Sequence, residues 1–207
     1  MEAVCHWADV SSLKDPAHFR HGLSLLRNKE RKEKALAFRY ENGRALSLGV
    51  SLLLEQALRE AGITEYELSL EPQGKPALVH QDLHFSLSHS GTIAVCALSC
   101  SPIGADVELI KPLRTQGVLR FLHPDEAAEI QQSEDPALAF IRIWTRKESY
   151  GKRNGTGIAY DMKGISFLDP RPEDPYRFHE LCTDGYMITV CTGPQETVRF
   201  LNTEITT

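Results

Sequence analysis

No stretch of this 207-residue chain approaches the ~20 consecutive apolar residues that cross a bilayer. Nor does it open on a basic segment followed by a long apolar run, so neither a membrane span nor an export leader is expected. Cysteine is sparse and odd in number, at positions 5, 96, 100, 182 and 191, with no CxxC pair and no Cys/His cluster at zinc spacing. That pattern excludes a disulfide framework and a structural zinc site, and reads as small buried hydrophobes in a reducing, cytoplasmic setting. Positive charge is not in excess either: 23 Lys and Arg stand against 28 Asp and Glu, for a net charge of −5. A surface built wholly for nucleic acid is therefore not expected, and there is no aromatic stacking motif or glycine-rich nucleotide fingerprint to suggest one. Ser86-Leu87-Ser88-His89-Ser90 lacks the GxSxG elbow of a covalent serine enzyme.

What is present is a soluble globular composition, 42% hydrophobic and 25% charged. The reading places a polar helix over residues 28–38 at the start of the ordered part. Between Lys29 and Arg44 it predicts a locally basic stretch, six basic residues against three acidic. Apolar residues at 46, 50, 53, 54, 57 and 58 recur at helical spacing, which predicts a core helix over 45–60 ended by Ala61-Gly62. Alternation at Tyr66, Leu68 and Leu70 predicts a half-buried strand, broken by a turn at Gly74-Lys75-Pro76. HFSLSHS and GTIAVCALS read as two strands joined at Ser90-Gly91, and residues 104–109 as a third strand of the same antiparallel sheet. Beyond residue 110 come a short helix, DEAAEI, and a longer one capped by Asp135 with Pro136 in its first turn. Strand-like pieces follow at GISFL, YRFHEL, YMITVC and VRFL. GTIAVCA and YMITVCT form an internal echo.

Two features bear chemistry. In GADVE, Asp106 and Glu108 are two residues apart on a strand and share a face, while Ala105, Val107 and Leu109 take the other. Two carboxylates so close repel, and a hard divalent cation relieves that repulsion; a solvent-facing strand edge is the alternative reading. In WTRKESYGK, Trp144, Glu148 and Lys152 recur at intervals of four and lie along one helix face. An exposed Glu–Lys pair explains Glu148 and Lys152 but not the tryptophan one turn earlier.

Together these motifs resemble those of the 4'-phosphopantetheinyl transferases, in the two-subdomain form that activates peptide synthetases. That family pairs a glycine-x-aspartate-x-glutamate strand with a later tryptophan, serine or threonine, any residue, lysine-glutamate, and a lysine four beyond. Here these are Gly104 to Glu108 and Trp144 to Lys152. The family's phenylalanine-x-x-serine-histidine-serine-glycine segment is matched by Phe85 to Gly91, and its glycine-lysine-proline loop by Gly74-Lys75-Pro76. The likeness covers about residues 28–160. Ala105 departs from the usual larger aliphatic residue, and Gly151 from a larger side chain.

The resemblance implies an α+β fold of two similar α/β subdomains with antiparallel sheets, 1–110 and 111–207, related by a pseudo-two-fold with the active site in the cleft between them. It implies Mg2+ on Asp106, Glu108 and Glu148, and coenzyme A held by Arg31, Lys34, Arg44, Lys75, Pro76, Ser88, His89 and Lys152. Glu148 and Lys152 would be the catalytic pair, base and phosphate stabiliser. A serine of an apo acyl or peptidyl carrier protein would receive the phosphopantetheine arm, and adenosine 3',5'-bisphosphate would leave. Arg114, Arg120, Arg146, Arg153, Phe121 and Tyr150 are expected to dock the carrier. A monomer is implied, with no nucleic-acid or membrane partner. The alternatives are a magnesium-dependent phosphohydrolase on the same carboxylates, and a non-catalytic module for phosphorylated ligands.

Overall fold

The computed structural model describes residues 2–112, 116–157 and 163–205. The chain is a mixed α+β structure with largely antiparallel sheets. It opens with β1 (Glu2–Asp9), α1 (Pro16–Leu25), α2 (Lys29–Ala37) and α3 (Glu41–Glu60). The small hairpin of β2 (Leu68–Leu70) and β3 (Pro76–Leu78) follows, then β4 (His84–Ser90), β5 (Ile93–Ser99) and β6 (Gly104–Leu109). The remainder is α4 (Pro124–Gln132), α5 (Pro136–Arg153), β7 (Arg177–Thr183), β8 (Tyr186–Thr192) and β9 (Thr197–Asn202). One sheet has the order β4-β5-β1-β9 and another the order β6-β8-β7.

The two sheets face each other between two helices. On β5 the residues alternate: Ala94, Cys96 and Leu98 pack with Leu53, Leu54 and Leu58 of α3. Ile93, Val95 and Ala97 pack instead with Ala105, Val107, Ile188 and Val190 of the second sheet. The other face of the second sheet meets α5, where the Thr145 and Thr189 hydroxyls bond at 2.7 Å. β5 and β8 are each the buried inner strand of a sheet, which accounts for their sequence echo by burial alone.

Several expectations need correction. The ordered chain begins with β1 and α1, not at residue 28. β1 sits between β5 and β9 with both faces covered, so it lacks the polar alternation that marks a half-buried strand. β6 does not extend the sheet of β4 and β5; it is an edge strand of the second sheet, antiparallel to β8. β9 pairs with β1 in parallel, Glu2 opposite Thr197. Cys5, Cys96 and Cys191 are buried as expected, but Cys100 and Cys182 are exposed.

GISFL is not a strand. Its backbone groups bond side chains instead: Lys147 Nζ donates to Ile165 O at 2.9 Å, and Arg146 donates to Phe167 O and Leu168 O. The Phe167 N–H donates to Glu126 Oε1 at 2.9 Å. Buried backbone polar groups need partners, and here side chains of α4 and α5 provide them.

Gly104 sets the distance between β6 and α5. A Cβ there would lie 1.9 Å from Ser149 O and 2.4 Å from the Arg153 nitrogen, both helix backbone atoms that have no rotamer to move. Gly104→Ala must therefore push α5 off the strand. Overpacking of this kind costs about 3 kcal/mol or more. A urea melt should show that loss, and an unchanged midpoint would refute the close contact.

Candidate active site

Alternation on β6 sends Asp106 and Glu108 toward α5, as the sequence implied, while Ala105 and Val107 are buried on the opposite face. The adjacent edge strand, β4, runs alongside in the same direction and meets β6 through its own alternating side chains. Ser86 Oγ accepts the Ala105 N–H at 2.9 Å. Ser88 Oγ donates to Asp106 Oδ1 at 2.8 Å, and Ser90 Oγ donates to Glu108 Oε2 at 2.7 Å. Ser90 also accepts the Leu109 N–H at 3.3 Å. Three serine hydroxyls thus stand where a backbone ladder would otherwise join two edges. Gly91, at φ +60°, turns the chain just beyond, and a Cβ there would strike the Tyr186 hydroxyl, which itself accepts the Thr92 N–H at 3.0 Å.

α5 brings the third carboxylate. Trp144, Glu148 and Lys152 form a half-buried stripe, with Trp144 stacked on Phe140 at 6.0 Å. Lys152 Nζ donates to Asp106 Oδ1 at 2.7 Å and to Ser88 Oγ at 2.9 Å. Burial, then the Asp106 charge, pushes Glu148 above the ordinary carboxylate range; Glu108 adds to the shift and Lys152 opposes it. Glu108 is also raised, by burial first and then by Asp106, against the Ser90 hydrogen bond and the charges of Lys152 and Lys111. The three carboxylates therefore feel one another across the strand–helix junction. Asp106 Oδ2 is buried and has no hydrogen-bond partner among the described residues. Among those residues no three carboxylate, His or Cys side chains converge tightly enough to hold an ion as they stand. The Lys152 ammonium is the nearest counter-charge on Asp106.

The remaining expected groups divide. Although His89 as a whole is exposed, partial enclosure of its ring, then the charges of Lys152 and Lys34, holds it below its usual value. Lys34 is lowered by burial and by Arg31. Lys75 donates to Ile103 O at 3.2 Å, just ahead of β6, and is lowered by burial and by Arg153. Pro76 is half-buried at the start of β3. Arg44 is exposed and donates to Phe38 O at 2.8 Å. Arg31 is the correction: only 5% exposed, it donates from Nε to Ser51 Oγ at 3.0 Å, inside the first core rather than toward the carboxylates.

Of the expected docking residues, Arg114 lies outside the described residues. Arg120 and Phe121 are exposed, with the guanidinium 4.8 Å from the ring centroid. Arg146 is buried in an ion pair with Glu180, and Tyr150 packs among Phe167 and Tyr176, so neither is a surface anchor. Arg153 is half-buried beside Gly104. Ser86, Ser90 and Gly104 shape the site without being expected as ligands. The same-face spacing of serines at 86, 88 and 90 is the signal that points to two of them.

Comparison with known proteins places this site in context. The profile of the 4'-phosphopantetheinyl transferase superfamily matches residues 102–202. The chain is 37% identical over 155 residues to the 4'-phosphopantetheinyl transferase AcpT of Salmonella typhimurium, an alignment covering 72% of this chain and 77% of that protein. It is 32% identical over 143 residues to a 4'-phosphopantetheinyl transferase of Bacillus subtilis, covering 66% of this chain and 64% of the relative. It is 34% identical over 148 residues to the 4'-phosphopantetheinyl transferase gsp of Aneurinibacillus migulanus, covering 67% and 62%. The match thus spans just under two thirds of the length of the Bacillus and Aneurinibacillus relatives.

The crowding of carboxylates has a measurable sign. A raised carboxyl pKa means that the ionised form is disfavoured in the folded protein, and this penalty is fully present above the folded pKa and absent below the unfolded one. Glu148→Gln removes the penalty. With a chelator present it should raise the melting temperature at pH 7, and the gain should fade as pH falls toward 4.5, the ordinary glutamate value. An equal or lower melting temperature at pH 7 would show that Glu148 is not crowded.

Proposed function

Because this chain belongs to the 4'-phosphopantetheinyl transferase superfamily, we propose that it moves the 4'-phosphopantetheine arm of coenzyme A onto a serine hydroxyl of an apo acyl or peptidyl carrier protein, releasing adenosine 3',5'-bisphosphate. The observation that supports this most is the approach of Lys152, one turn beyond Glu148 on α5, to Asp106 and Ser88 at the junction of β6, β4 and α5.

The donor set suits Mg2+, which takes a few carboxylate oxygens and leaves positions for water and phosphate. The bare, buried Asp106 Oδ2 and the raised Glu108 and Glu148 fit an ion that is held by these three residues. When bound, it supplies positive charge to the diphosphate oxygens.

The chain's own groups carry the rest. Lys34, Lys75 and His89 provide cationic or hydrogen-bonding contacts to the phosphates of coenzyme A, with Pro76 beside Lys75 and Arg44 at the outer edge. Arg31 acts from behind, through its charge on Lys34. The carrier serine oxygen attacks the phosphorus that bears the pantetheine arm, and the bond from that phosphorus to the bridging oxygen of the diphosphate breaks. Glu148 takes the serine proton as general base. Lys152, shared by Ser88 and Asp106, steadies the negative charge on the departing phosphate.

In this reading residues 1–110 and 111–207 form two related subdomains about a pseudo-two-fold, the later part returning β9 to the first sheet, with the site in the cleft between them. Arg120 and Phe121 supply a basic and an apolar contact for an acidic carrier. The protein works as a cytoplasmic monomer; among the described residues no helix is long and apolar enough to cross a membrane.

Intact-mass measurement of an apo carrier incubated with coenzyme A and Mg2+ should show the gain of a single phosphopantetheine arm. Glu148→Gln and Lys152→Ala should each slow the gain by about 10²-fold or more. No gain across fatty-acid and peptide-synthetase carriers would sink the proposal, and free phosphopantetheine released without a carrier would point to hydrolysis instead.

A further inference from the structure

Lys147 stands immediately before Glu148 in the motif that carries the chemistry, yet it faces elsewhere. Successive helix residues are rotated by about 100°, so Lys147 points a quarter turn or more away from Glu148. Its side chain is fully buried. The ammonium lies 3.0 Å from Glu126 Oε2, donates to Ile165 O at 2.9 Å and sits 4.9 Å from the Phe167 ring centroid. Glu126 is also fully buried, and its oxygens accept the His123 N–H at 3.1 Å and the Phe167 N–H at 2.9 Å. One ion pair thus binds the start of α4, the middle of α5 and the segment 165–167.

From this geometry we propose that Lys147 is a positioning residue: paired with Glu126 on the far side of α5, it fixes the rotation of the helix so that Glu148 and Lys152 face β6, and it touches neither coenzyme A nor carrier. The inference rests on the transfer reading above. Gly104 already presses the strand against the helix backbone at Ser149 and Arg153, which fixes the separation of the two elements. Separation alone leaves the helix free to roll. The Glu126–Lys147 pair resists that roll, because any rotation that swings Glu148 away from Asp106 also pulls a buried ammonium off a buried carboxylate, a change strongly disfavoured in a low-dielectric interior.

A double-mutant cycle on the full-length protein tests this. Lys147→Met strands the Glu126 charge, and should lower both the melting temperature and kcat. Adding Glu126→Gln makes the pair neutral while keeping an acceptor for Phe167. The double variant should recover much of the lost melting temperature and bring kcat to within about tenfold of the parent. KM for coenzyme A should stay within about twofold, and the limbs of the pH–rate profile should not move. A double variant with restored melting temperature but kcat still about a hundredfold down, or with a displaced pH limb, would mean that Lys147 touches the reacting groups and would overturn the proposal. Strictly additive losses of melting temperature would overturn it too. Should the neutral pair fail to fold, Glu126→Gln alone decides, since it leaves Lys147 in place. The proposal then requires kcat to fall by about tenfold with KM for coenzyme A unchanged, and an undiminished kcat rejects it. If the parent protein transfers nothing to any carrier, it is the transfer reading that fails, and the melting-temperature coupling still reports on the ion pair.

Discussion

The contact between the backbone of α5 and residue 104 is the constraint on which the site depends. A sheet edge and a helix normally stand apart by the depth of the side chains between them. At Gly104 that depth is absent, and the Ser149 carbonyl and Arg153 amide rest on the strand itself. Two residues along β6 is Asp106, and within one turn of the same stretch of α5 are Glu148 and Lys152. Lys152 reaches Asp106 only because the elements touch. The salt bridge from Lys152 to Asp106 follows from that approach, as does the added lift that the charges of Asp106 and Glu108 give to a Glu148 already raised by burial.

Around this contact, side chains repeatedly replace backbone pairing. The serines of β4 satisfy the open edge of β6 without extending either sheet, and segment 165–168 hangs from Arg146, Lys147 and Glu126. A backbone ladder would have sealed both places into continuous sheet. Hydroxyls and charged groups instead leave acidic oxygens and an ammonium at the surface of the joint, where a charged ligand can compete for them. The architecture is stabilised by the apolar layers on either side, while the joint itself stays polar.

Much of this was legible in the sequence because it is local and periodic. α2, most of α3, α4, the cap of α5, and strands β4, β5, β6, β7, β8 and β9 all carry their own spacing and turn signals. β1 was missed because a strand enclosed on both faces has no polar alternation, and GISFL was misread because its backbone bonds side chains of α4 and α5, partners that no local pattern reveals. The same-face placement of Asp106 and Glu108 was visible from a period of two. How near α5 comes to them depends on a tertiary approach that no local spacing reveals. Arg31 shows the limit of composition: a basic residue in a basic helix was expected to face ligand, but its place on the inner side of α2 puts it against Ser51. Arg146 was similarly expected to dock the carrier for its charge and is instead an internal tie to Glu180.

The parallel pairing of β1 with β9 joins strands nearly two hundred residues apart. While the chain is being synthesised, β1 can find β5 early, but its other edge stays open until β9 leaves the ribosome. For that interval the nascent sheet presents unpaired amides and carbonyls beside an apolar face, the geometry most prone to pairing with a neighbouring copy. Long-range closure of this kind also slows folding. Yield in a recombinant host should therefore depend on how quickly the final strand is delivered, and on whether chaperones cover that edge in the meantime.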